Sequence, residues 1–393
     1  MADTDVKQLS RLTDELKQLF KKLEKPFLGS DALGFTINQI QQAVSELKSL
    51  DSTLSAISRT SNLTKRQLKD LGQSAFDTAS KYGRSASDYL TAVREMYSAG
   101  FDNAEQMSQL SMLAQAAGEL ESSTAHEYLT ASNAAYDLKG NVEELNKVLD
   151  GQSYLAKNAA ITMEDMAQAT SQAASTASRY GVQADELSAL IAAAVSNTHE
   201  SGIETGNALN AIFANLQDTA SRPIQKTFDA VNISMMEMAD GFQTLKTPIE
   251  LLRELSGAFA GLEEGDSRRE TILSSIGGED YADTLSALLS NWASYEQLLG
   301  LYSQGMGNAA REAKKTANSW EGSLNRLSNT WTDTVANVAD SDAITAGINA
   351  LNGLLGTLNH VTDFFGSMGT IGLGAGLFAG IKNVGRARRS ALI

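Results

Sequence analysis

Apolar residues recur at steps of three and four along most of the chain, which is the spacing of one face of an α-helix. Two such stripes begin the sequence, and Pro26 and Gly29 separate them. The first consists of Leu9, Leu12, Leu16, Leu19 and Leu23, and the second of Ile37, Ile40, Val44, Leu47, Leu50, Leu54 and Ile57. The second stripe approximates the seam of a short coiled coil, and an ordinary bundle helix fits it equally well.

One sequence in the middle of the chain occurs twice. The stretch ASKYGRSASDYL at 79–90 returns as ASRYGVQADEL at 177–187, and each copy is followed by a helix pattern rich in small residues. Because internal repeats report architecture, one helical unit is expected to be used twice. Neither copy carries side chains typical of catalysis, which favours a structural or interaction protein.

The helices of this middle region are expected to be separated by glycine-containing turns and to start at polar caps. Thr162 precedes Glu164 and Asp165 in the manner of an N-cap, and Ser85 stands in a similar relation to Asp88. The glycines expected to end helices as left-handed C-caps are Gly83, Gly100, Gly118, Gly140, Gly181 and Gly202.

Beyond residue 216 the pattern predicts shorter helices. Residues 245–249 form a short extended link, with Pro248 in the first turn of the helix that follows. That helix has its apolar face at Leu251, Leu252, Leu255 and Phe259, and two more helices are expected at 268–278 and 281–292. Residues 301–350 are polar and helical in pattern, and Trp320 and Trp331 lie on one face there, most simply as a packed stripe.

The C-terminal region contains the least charged stretch. No charged residue stands between Asp363 and Lys382, and the run is close to the length that spans a bilayer. The candidate membrane residues are Phe364, Phe365, Ile371, Leu373, Leu377, Phe378 and Ile381, and Gly372, Gly376 and Gly380 add small-residue spacing. The candidate basic flank is Lys382, Arg386, Arg388 and Arg389. The alternative interpretation of this uncharged segment is an interior helix of a helical assembly or a hydrophobic tail buried by a partner.

Together these patterns predict an all-α protein with a helical bundle core, N-terminal coiled-coil-like helices and a C-terminal Gly-rich hydrophobic helix. Only three prolines occur, and Val and Ile do not gather into alternating strand-like runs. The expected parts are amphipathic helices at 1–65, a helical core with the repeat at 66–300, a polar linking helix at 301–350, and a hydrophobic segment with a basic tail at 351–393.

Composition narrows the range of possible functions and partners. The net charge of −15 disfavours nucleic acid as the main partner, because phosphate backbones require clustered Lys and Arg. The absence of cysteine excludes disulfides, thiolate metal sites and cysteine nucleophiles, and it fits synthesis in a reducing cytoplasm. The acidic, polar N-terminus is not a secretory signal.

No catalytic, cofactor or metal site is expected. His126, His199 and His360 are scattered, without metal-ligand spacing, and are interpreted as surface or helix-end residues. The glycines at 372–376 lack the βαβ context of a dinucleotide loop, and no Walker A sequence is present. Acidic pairs such as Glu164-Asp165 suit helix starts and solvated faces.

A family resemblance rests on ordered motifs. The stretches SKYGRSASDYLTAVREMYSAGFD, STAHEYLTASNAAYDL and AITMEDMAQATSQAASTASRYGVQADELSALIAAAVSNTHESGIETGNAL come in that order. FDAVNISMMEMADGFQTLKTPIELLRELSGAF and SSIGGEDYADTLSALL follow them. In this order, residues from about 70 to 300 resemble the core of phage tail tape measure proteins of the lactococcal siphophage type. The motifs are mostly Ala, Leu and Gly, so their order carries the likeness.

The resemblance implies a structural virion protein and not an enzyme. Such proteins lie in the tail lumen as a scaffold, set tail length during assembly, and leave ahead of the DNA to help it cross the cell envelope. The implied partners are further copies of the chain, tail tube and tail-tip or baseplate proteins, tail assembly chaperones and, for the hydrophobic segment, the host membrane. No specific nucleic-acid binding is implied. The implied location is the phage tail, after synthesis in the host cytoplasm.

The chain also departs from the family pattern. Family members are usually longer, and some carry a peptidoglycan-cleaving domain that nothing here resembles, so a short member or the N-terminal part of a longer protein is expected. As one continuous helix, 393 residues would span roughly 590 Å, a short tail. The alternatives are a helical effector of a tail-like particle that inserts into membranes and, less favoured, a cell-wall-active enzyme.

Overall fold

The structure is a computed structural model that describes residues 46, 49–239 and 241–319, together with 321, 322, 325, 326, 328, 329, 332 and 333. The all-α prediction is confirmed, because helices make up nearly all the regular structure of the described residues. These residues form two compact units. One contains the described residues up to 90 and beyond 320, and the other contains residues 91–319.

The described elements follow one another with short connections. Helical residues 49–60 come first. The helices that follow are α1 (Lys65–Lys81), α2 (Ala86–Ser98), α3 (Ala104–Gly118), α4 (Ser122–Ala135), α5 (Val142–Asn158), α6 (Met163–Arg179), α7 (Ala184–Thr198), α8 (Gly202–Leu216) and α9 (Arg222–Ala230). Strands β1 (Met236–Ala239) and β2 (Phe242–Leu245) precede α10 (Pro248–Gly261), α11 (Ser267–Ile272), a π-helical turn (Leu273–Gly277), α12 (Ala282–Ser290), α13 (Trp292–Tyr302), a 3₁₀ turn (Ser303–Gly305) and α14 (Asn308–Ala317).

Helix α7 lies at the centre of the unit formed by residues 91–319. Nine consecutive residues, from Leu187 to Val195, are buried. A helix that is apolar on every side requires neighbours all around it. Helices α5, α6, α8, α12 and α13 supply them. The second copy of the sequence repeat therefore leads into the central helix of this unit.

The two copies of the repeat have the same backbone turn, which confirms the repeat as a local structural unit. In each copy the residue after the glycine donates its N–H to the carbonyl five positions earlier. Arg84 donates to Ala79 at 3.0 Å, and Val182 donates to Ala177 at 2.9 Å. The intervening glycines have φ of 67° and 81°, a left-handed conformation that glycine adopts without a steric penalty.

The expected helix starts are confirmed at their caps. The Ser85 hydroxyl accepts the N–H of Asp88 at 3.1 Å, and the Asp88 carboxylate accepts the N–H of Ser85 at 3.2 Å. The Thr162 hydroxyl accepts the N–H of Asp165 at 3.0 Å. Pro248 is the first residue of α10, behind an N-cap at Thr247, as the sequence predicted. Each cap satisfies N–H groups that a helix leaves without an internal partner.

Three of the six predicted glycine C-caps are wrong. Gly140 is left-handed, with φ of 72°, but it lies in the loop after α4, which ends at Ala135 and has Asp137 as its left-handed residue, with φ of 47°. Gly118 is the last residue of α3, and Glu119 adopts the left-handed conformation in its place, with φ of 54°. Gly202 is the first residue of α8, so it begins a helix and does not end one. Its lack of a side chain is needed for close packing, because a Cβ there would lie 2.2 Å from the carbonyl oxygen of Asp165 in α6.

Helices α6 and α8 pack closely because α8 presents glycines to α6. The N–H of Gly202 also donates to the Asp165 carboxylate at 3.0 Å, so the side chain of α6 caps the start of α8. One turn later, a Cβ on Gly206 would lie 2.8 Å from the carbonyl oxygen of Ala169. The two glycines therefore bring the two helix backbones together.

A buried carboxylate joins α5 to the start of α14. Asp150, 4% exposed, accepts the N–H of Gly307 at 2.7 Å and the N–H of Ala309 at 2.9 Å. Beside it, the Asn308 amide donates to the Ser153 hydroxyl at 2.9 Å. Since α14 has no side-chain cap of its own at Gly307, Asp150 supplies one from 157 residues away along the chain.

The unit containing residues up to 90 is joined to the far end of the chain through Asn329. This side chain is 1% exposed. Its amide donates to the Ser80 hydroxyl at 3.0 Å and the Arg84 carbonyl at 2.7 Å, and it accepts the N–H of Ala86 at 3.1 Å. Asn325, one helical turn earlier, donates to the carbonyl of Gly83 at 2.8 Å. The first copy of the repeat is thus held by a segment 242 to 249 residues away in sequence.

One predicted helix near 280 needs different bounds. The single helix expected at 281–292 is wrong, because α12 ends at Ser290 and α13 begins at Trp292. The break is at Asn291, whose side-chain amide donates to the carbonyl of Ala287 at 2.9 Å. Its backbone has φ of −121°, outside the helical region, because the side chain offers the helix end an alternative partner.

Several predictions fall beyond the described residues. Most of the two N-terminal stripes lie there, as do Trp320 and Trp331. Leu50 and Ile57, at the end of the second stripe, are described and buried, which fits both the coiled-coil and the bundle interpretation. The four-part division of the chain stays a prediction.

Gly206→Ala is expected to destabilise the protein by about 1–3 kcal/mol, because the added methyl must push α6 and α8 apart. Gly257→Ala, in the exposed part of α10, is the matched control. No atom lies within 4 Å of the added Cβ there, so the higher helix propensity of alanine should stabilise by about 0.5–1 kcal/mol. Urea denaturation followed by circular dichroism measures both. Equal effects of the two substitutions would contradict the close helix contact.

Asp150→Ala is expected to cost about 2–3 kcal/mol of unfolding free energy, because two buried N–H groups of α14 lose their acceptor. The control is Glu312→Ala, which lies in α14 itself. Glu312 pairs with Lys157 and Lys315 at the surface, so its loss should cost less than about 1 kcal/mol. A smaller loss for Asp150→Ala than for Glu312→Ala in the same denaturation experiment would rule out the cap.

Candidate interaction site: an exposed hairpin on the helical unit

The predicted membrane segment and its basic flank, residues 364–381 and 382–389, lie outside the described residues. Among the residues that the structure does describe, no helix is both long enough and apolar enough to cross a membrane. Within the same residues, no group of three or more His, Asp or Glu side chains is placed to hold a metal ion.

The three histidines have ordinary positions where they are described. His199 ends α7 in the left-handed conformation, with φ of 59°, so the helix-end interpretation is confirmed for it. His126 is half-buried in α4, and His360 lies outside the described residues.

Three tyrosines of the unit of residues 91–319 pack in or against its core: Tyr128 is buried, and Tyr136 and Tyr302 are half-buried. Burial raises the pKa of Tyr128, Tyr136 and Tyr302 above the ordinary tyrosine value, and carboxylates including Asp150 and Asp185 raise it further. These hydroxyls consequently stay protonated at neutral pH. Their rings contribute to packing between helices.

The β1–β2 hairpin is the one departure from helix among the described elements, and the sequence reasoning missed it. Its strands pair antiparallel, with Met236 opposite Leu245 and Ala239 opposite Phe242. The sequence between the strands is Asp240-Gly241, and Gly241 has φ of 81°. An Asp-Gly pair between short apolar runs is a strong signal for a tight hairpin.

The base of the hairpin is fixed to the helical unit. The N–H of Lys246 donates to the carbonyl of Met235 at 3.0 Å, which continues the ladder below the strands. The side-chain amide of Gln217, just after α8, donates to the carbonyl of Lys246 at 2.9 Å. The Lys246 ammonium reaches the Glu254 carboxylate in α10 at 2.6 Å.

The tip and both faces of the hairpin are exposed. Residues directly opposite each other share a face and successive residues alternate, so Met238 lies on one face with Gln243, and Phe242 lies on the other with Thr244. Met238 is 72% exposed and Phe242 is 74% exposed. A two-stranded hairpin is marginally stable at best on its own in water, so large apolar side chains on both of its faces indicate a contact surface.

The two edges of the hairpin differ. Because Met235 and Lys246 form a hydrogen-bonded pair, the backbone groups of Met236 and Met238 point outward from β1 and those of Gln243 and Leu245 point outward from β2. On β1, the Ser234 hydroxyl accepts the N–H of Met236 at 3.2 Å and donates to its carbonyl at 2.8 Å.

No described residue covers the outward groups of β2 in this way. The β2 strand also has no charged residue, whereas β1 contains Glu237. The β2 edge is therefore the open, uncharged edge of the hairpin.

The unit that carries the hairpin is strongly acidic. Residues 91–319 contain 31 Asp and Glu against 14 Lys and Arg, a net charge of −17, while the whole chain has −15. The rest of the chain is therefore slightly basic. Such an acidic surface repels nucleic acid and other copies of itself at low ionic strength.

Comparison with known protein families relates the chain to phage tail proteins. No solved structure matches the chain. Residues 73–278 match the sequence model of a family described as phage-related minor tail protein. The match includes both copies of the repeat, the central helix α7 and the hairpin. Because it covers just over half of the 393 residues, the chain belongs to the phage-related minor tail protein family.

Proposed function

We propose that this phage tail protein is a tape measure protein, of the lactococcal siphophage type, that acts as a scaffold in the tail lumen and sets tail length. The observation that carries the proposal is the family match over residues 73–278, which contains most of the ordered motifs that resemble tape measure cores. A role without chemistry is consistent with described side chains that mainly cap helices and fill the core.

The folded unit limits how such a ruler operates. The labelled helices of residues 91–319 have at most 17 residues, about 25 Å each, and they pack side by side. This unit therefore adds little length while it stays folded. In the proposed role, length is set by segments outside the compact units, by stacking of several copies, or by opening of the bundle within the tube.

The proposed partners follow from this placement. Further copies, tube proteins, tail-tip or baseplate proteins and assembly chaperones would meet the chain during assembly in the host cytoplasm. The uncharged residues 364–381, followed by four basic residues, favour a second step in which the ejected protein enters the host membrane and helps DNA across. A membrane-inserting effector of a tail-like particle is the alternative favoured by the same segment.

Inserting about 40 helix-forming residues after residue 340 is expected to lengthen the tail by about 60 Å, since each helical residue adds 1.5 Å along the axis. Electron microscopy of the resulting particles measures the change. Particles carrying Gly257→Ala serve as the control and should keep the parental length. Insertion particles with parental length and infectivity would refute the ruler role, as would deletion mutants with normal tails.

Leu373→Arg with Leu377→Arg is expected to leave tail length unchanged and to reduce DNA delivery, because two charges in the apolar segment make bilayer insertion costly. Infectivity per particle and leakage from liposomes measure the effect. Lys substitution of two residues in the polar region 301–350 provides the control. Normal DNA delivery by the double Arg variant would exclude the membrane step. Liposome leakage caused by purified protein that never associates with tails would favour the effector alternative.

A further inference from the structure

We propose that the β2 edge of the hairpin is a contact between copies of this chain. A second copy adds its own β2 strand antiparallel to the first, so that two hairpins form one four-stranded sheet. The contact surface consists of Phe242, Gln243, Thr244 and Leu245. This surface goes beyond the proposed length-setting role, which requires no particular contact between copies.

The spacing of the outward-facing groups determines one register. The N–H and C=O of Gln243 and Leu245 point away from β1, and Thr244 lies between them. With a two-fold axis at Thr244, Gln243 of one copy meets Leu245 of the second, and the reverse pair forms symmetrically. Both pairs are then hydrogen-bonded pairs, and all the outward groups of β2 find partners.

Side chains agree with this register. Thr244 meets its own symmetry mate, and Thr–Thr is a favourable cross-strand pair. Phe242 lies opposite Lys246 of the second copy, whose ammonium stays paired with its own Glu254. On the other face, Gln243 of each copy lies opposite Leu245 of the second, and Met238 lies opposite Gln243 within each hairpin. The pairing therefore closes the open backbone edge of β2 and brings no like charges together.

The other edge does not permit the same pairing. A two-fold axis on β1 would place Glu237 directly opposite its own copy, and like charges in that position are destabilising. In addition, the Ser234 hydroxyl already occupies the outward N–H and C=O of Met236. The pairing is therefore specific to β2, and sheet growth stops at four strands.

The acidic surface sets the conditions under which this contact forms. Two units with a charge of −17 each repel one another, and a four-residue edge buries much less than the roughly 1,000 Å² of a stable interface. The contact is consequently weak in dilute solution at low salt. It strengthens as salt screens the repulsion and when copies are held together at high local concentration.

Disulfide trapping tests the contact in the full-length chain. The protein has no cysteine, so Thr244→Cys introduces a single thiol. Non-hydrogen-bonded partners in antiparallel strands have Cα atoms about 4.5 Å apart, which is within the range of a disulfide. Glu237→Cys is the matched control, because it is opposite Thr244 in the same exposed hairpin but belongs to the other edge.

We expect Thr244→Cys to form covalent dimers about tenfold faster than Glu237→Cys under mild oxidation, because pairing raises the effective thiol concentration. The ratio should rise with NaCl concentration. Adding Gln243→Pro to Thr244→Cys should reduce the rate to that of the control, since proline removes an outward N–H and leaves the bonds within the hairpin intact.

Equal dimerisation rates for the two cysteine variants, or a Thr244→Cys rate unaffected by Gln243→Pro, would overturn the proposal. A vesicle-binding experiment provides a second test. If the cysteine-free chain bound phosphatidylcholine–phosphatidylglycerol vesicles and Phe242→Ser abolished that binding, the hairpin would be a membrane contact, and the proposed contact between copies would be overturned. These outcomes do not bear on the tail-length experiment, so the two proposals fail independently.

Discussion

The burial of helix α7 on every side is the constraint on which the unit of residues 91–319 depends. Its sequence from 187 to 195 has no solvent-facing side, so it is stable as a helix only inside a shell of other helices. Small residues on α7, such as Ala192 and Ala193, let those neighbours approach closely. The glycines of α8 do the same between two members of that shell.

Polar groups in this architecture mainly close helix ends. Some caps are local, as with Thr162 and its own helix. Others cross the fold, as when Asp165 of α6 caps α8 and Asp150 of α5 caps α14. Such crossing caps tie the position of one helix end to the side of another, because a buried N–H without an acceptor is costly. They give a core built largely from Ala and Leu a defined arrangement.

The hairpin is the exception, and its physical properties explain why it stands out in a helical tail protein. It exposes apolar side chains on two faces and presents one edge without charge or cover. Natural proteins usually protect such edges, since they are templates for pairing with another chain. Ser234 protects one edge here, and the acidic unit behind the hairpin limits uncontrolled pairing at the other.

Much of the local structure was predictable from sequence. Turn glycines at 83 and 181, the caps at Ser85 and Thr162, and the start of α10 at Pro248 all depend on residues close in sequence, which is why pattern reasoning identified them. The break at Asn291 and the Asp-Gly hairpin were also local and were missed because helical periodicity dominated their surroundings. The predicted membrane segment lies outside the described residues, so that prediction rests on the sequence alone.

The sequence by itself determined that the chain is helical, that one turn-and-helix unit occurs twice, and that the protein is acidic and lacks cysteine. Only the tertiary structure decided how each copy of the unit is used. Ser80 of the first copy accepts a hydrogen bond from Asn329, whereas Ser178 at the same place in the second copy donates to the carbonyl of Ala135. The tertiary structure also decided that Gly202 begins a helix and which hairpin edge stays open. Those outcomes depend on contacts between residues far apart in the chain, and periodicity along the sequence contains no information about them.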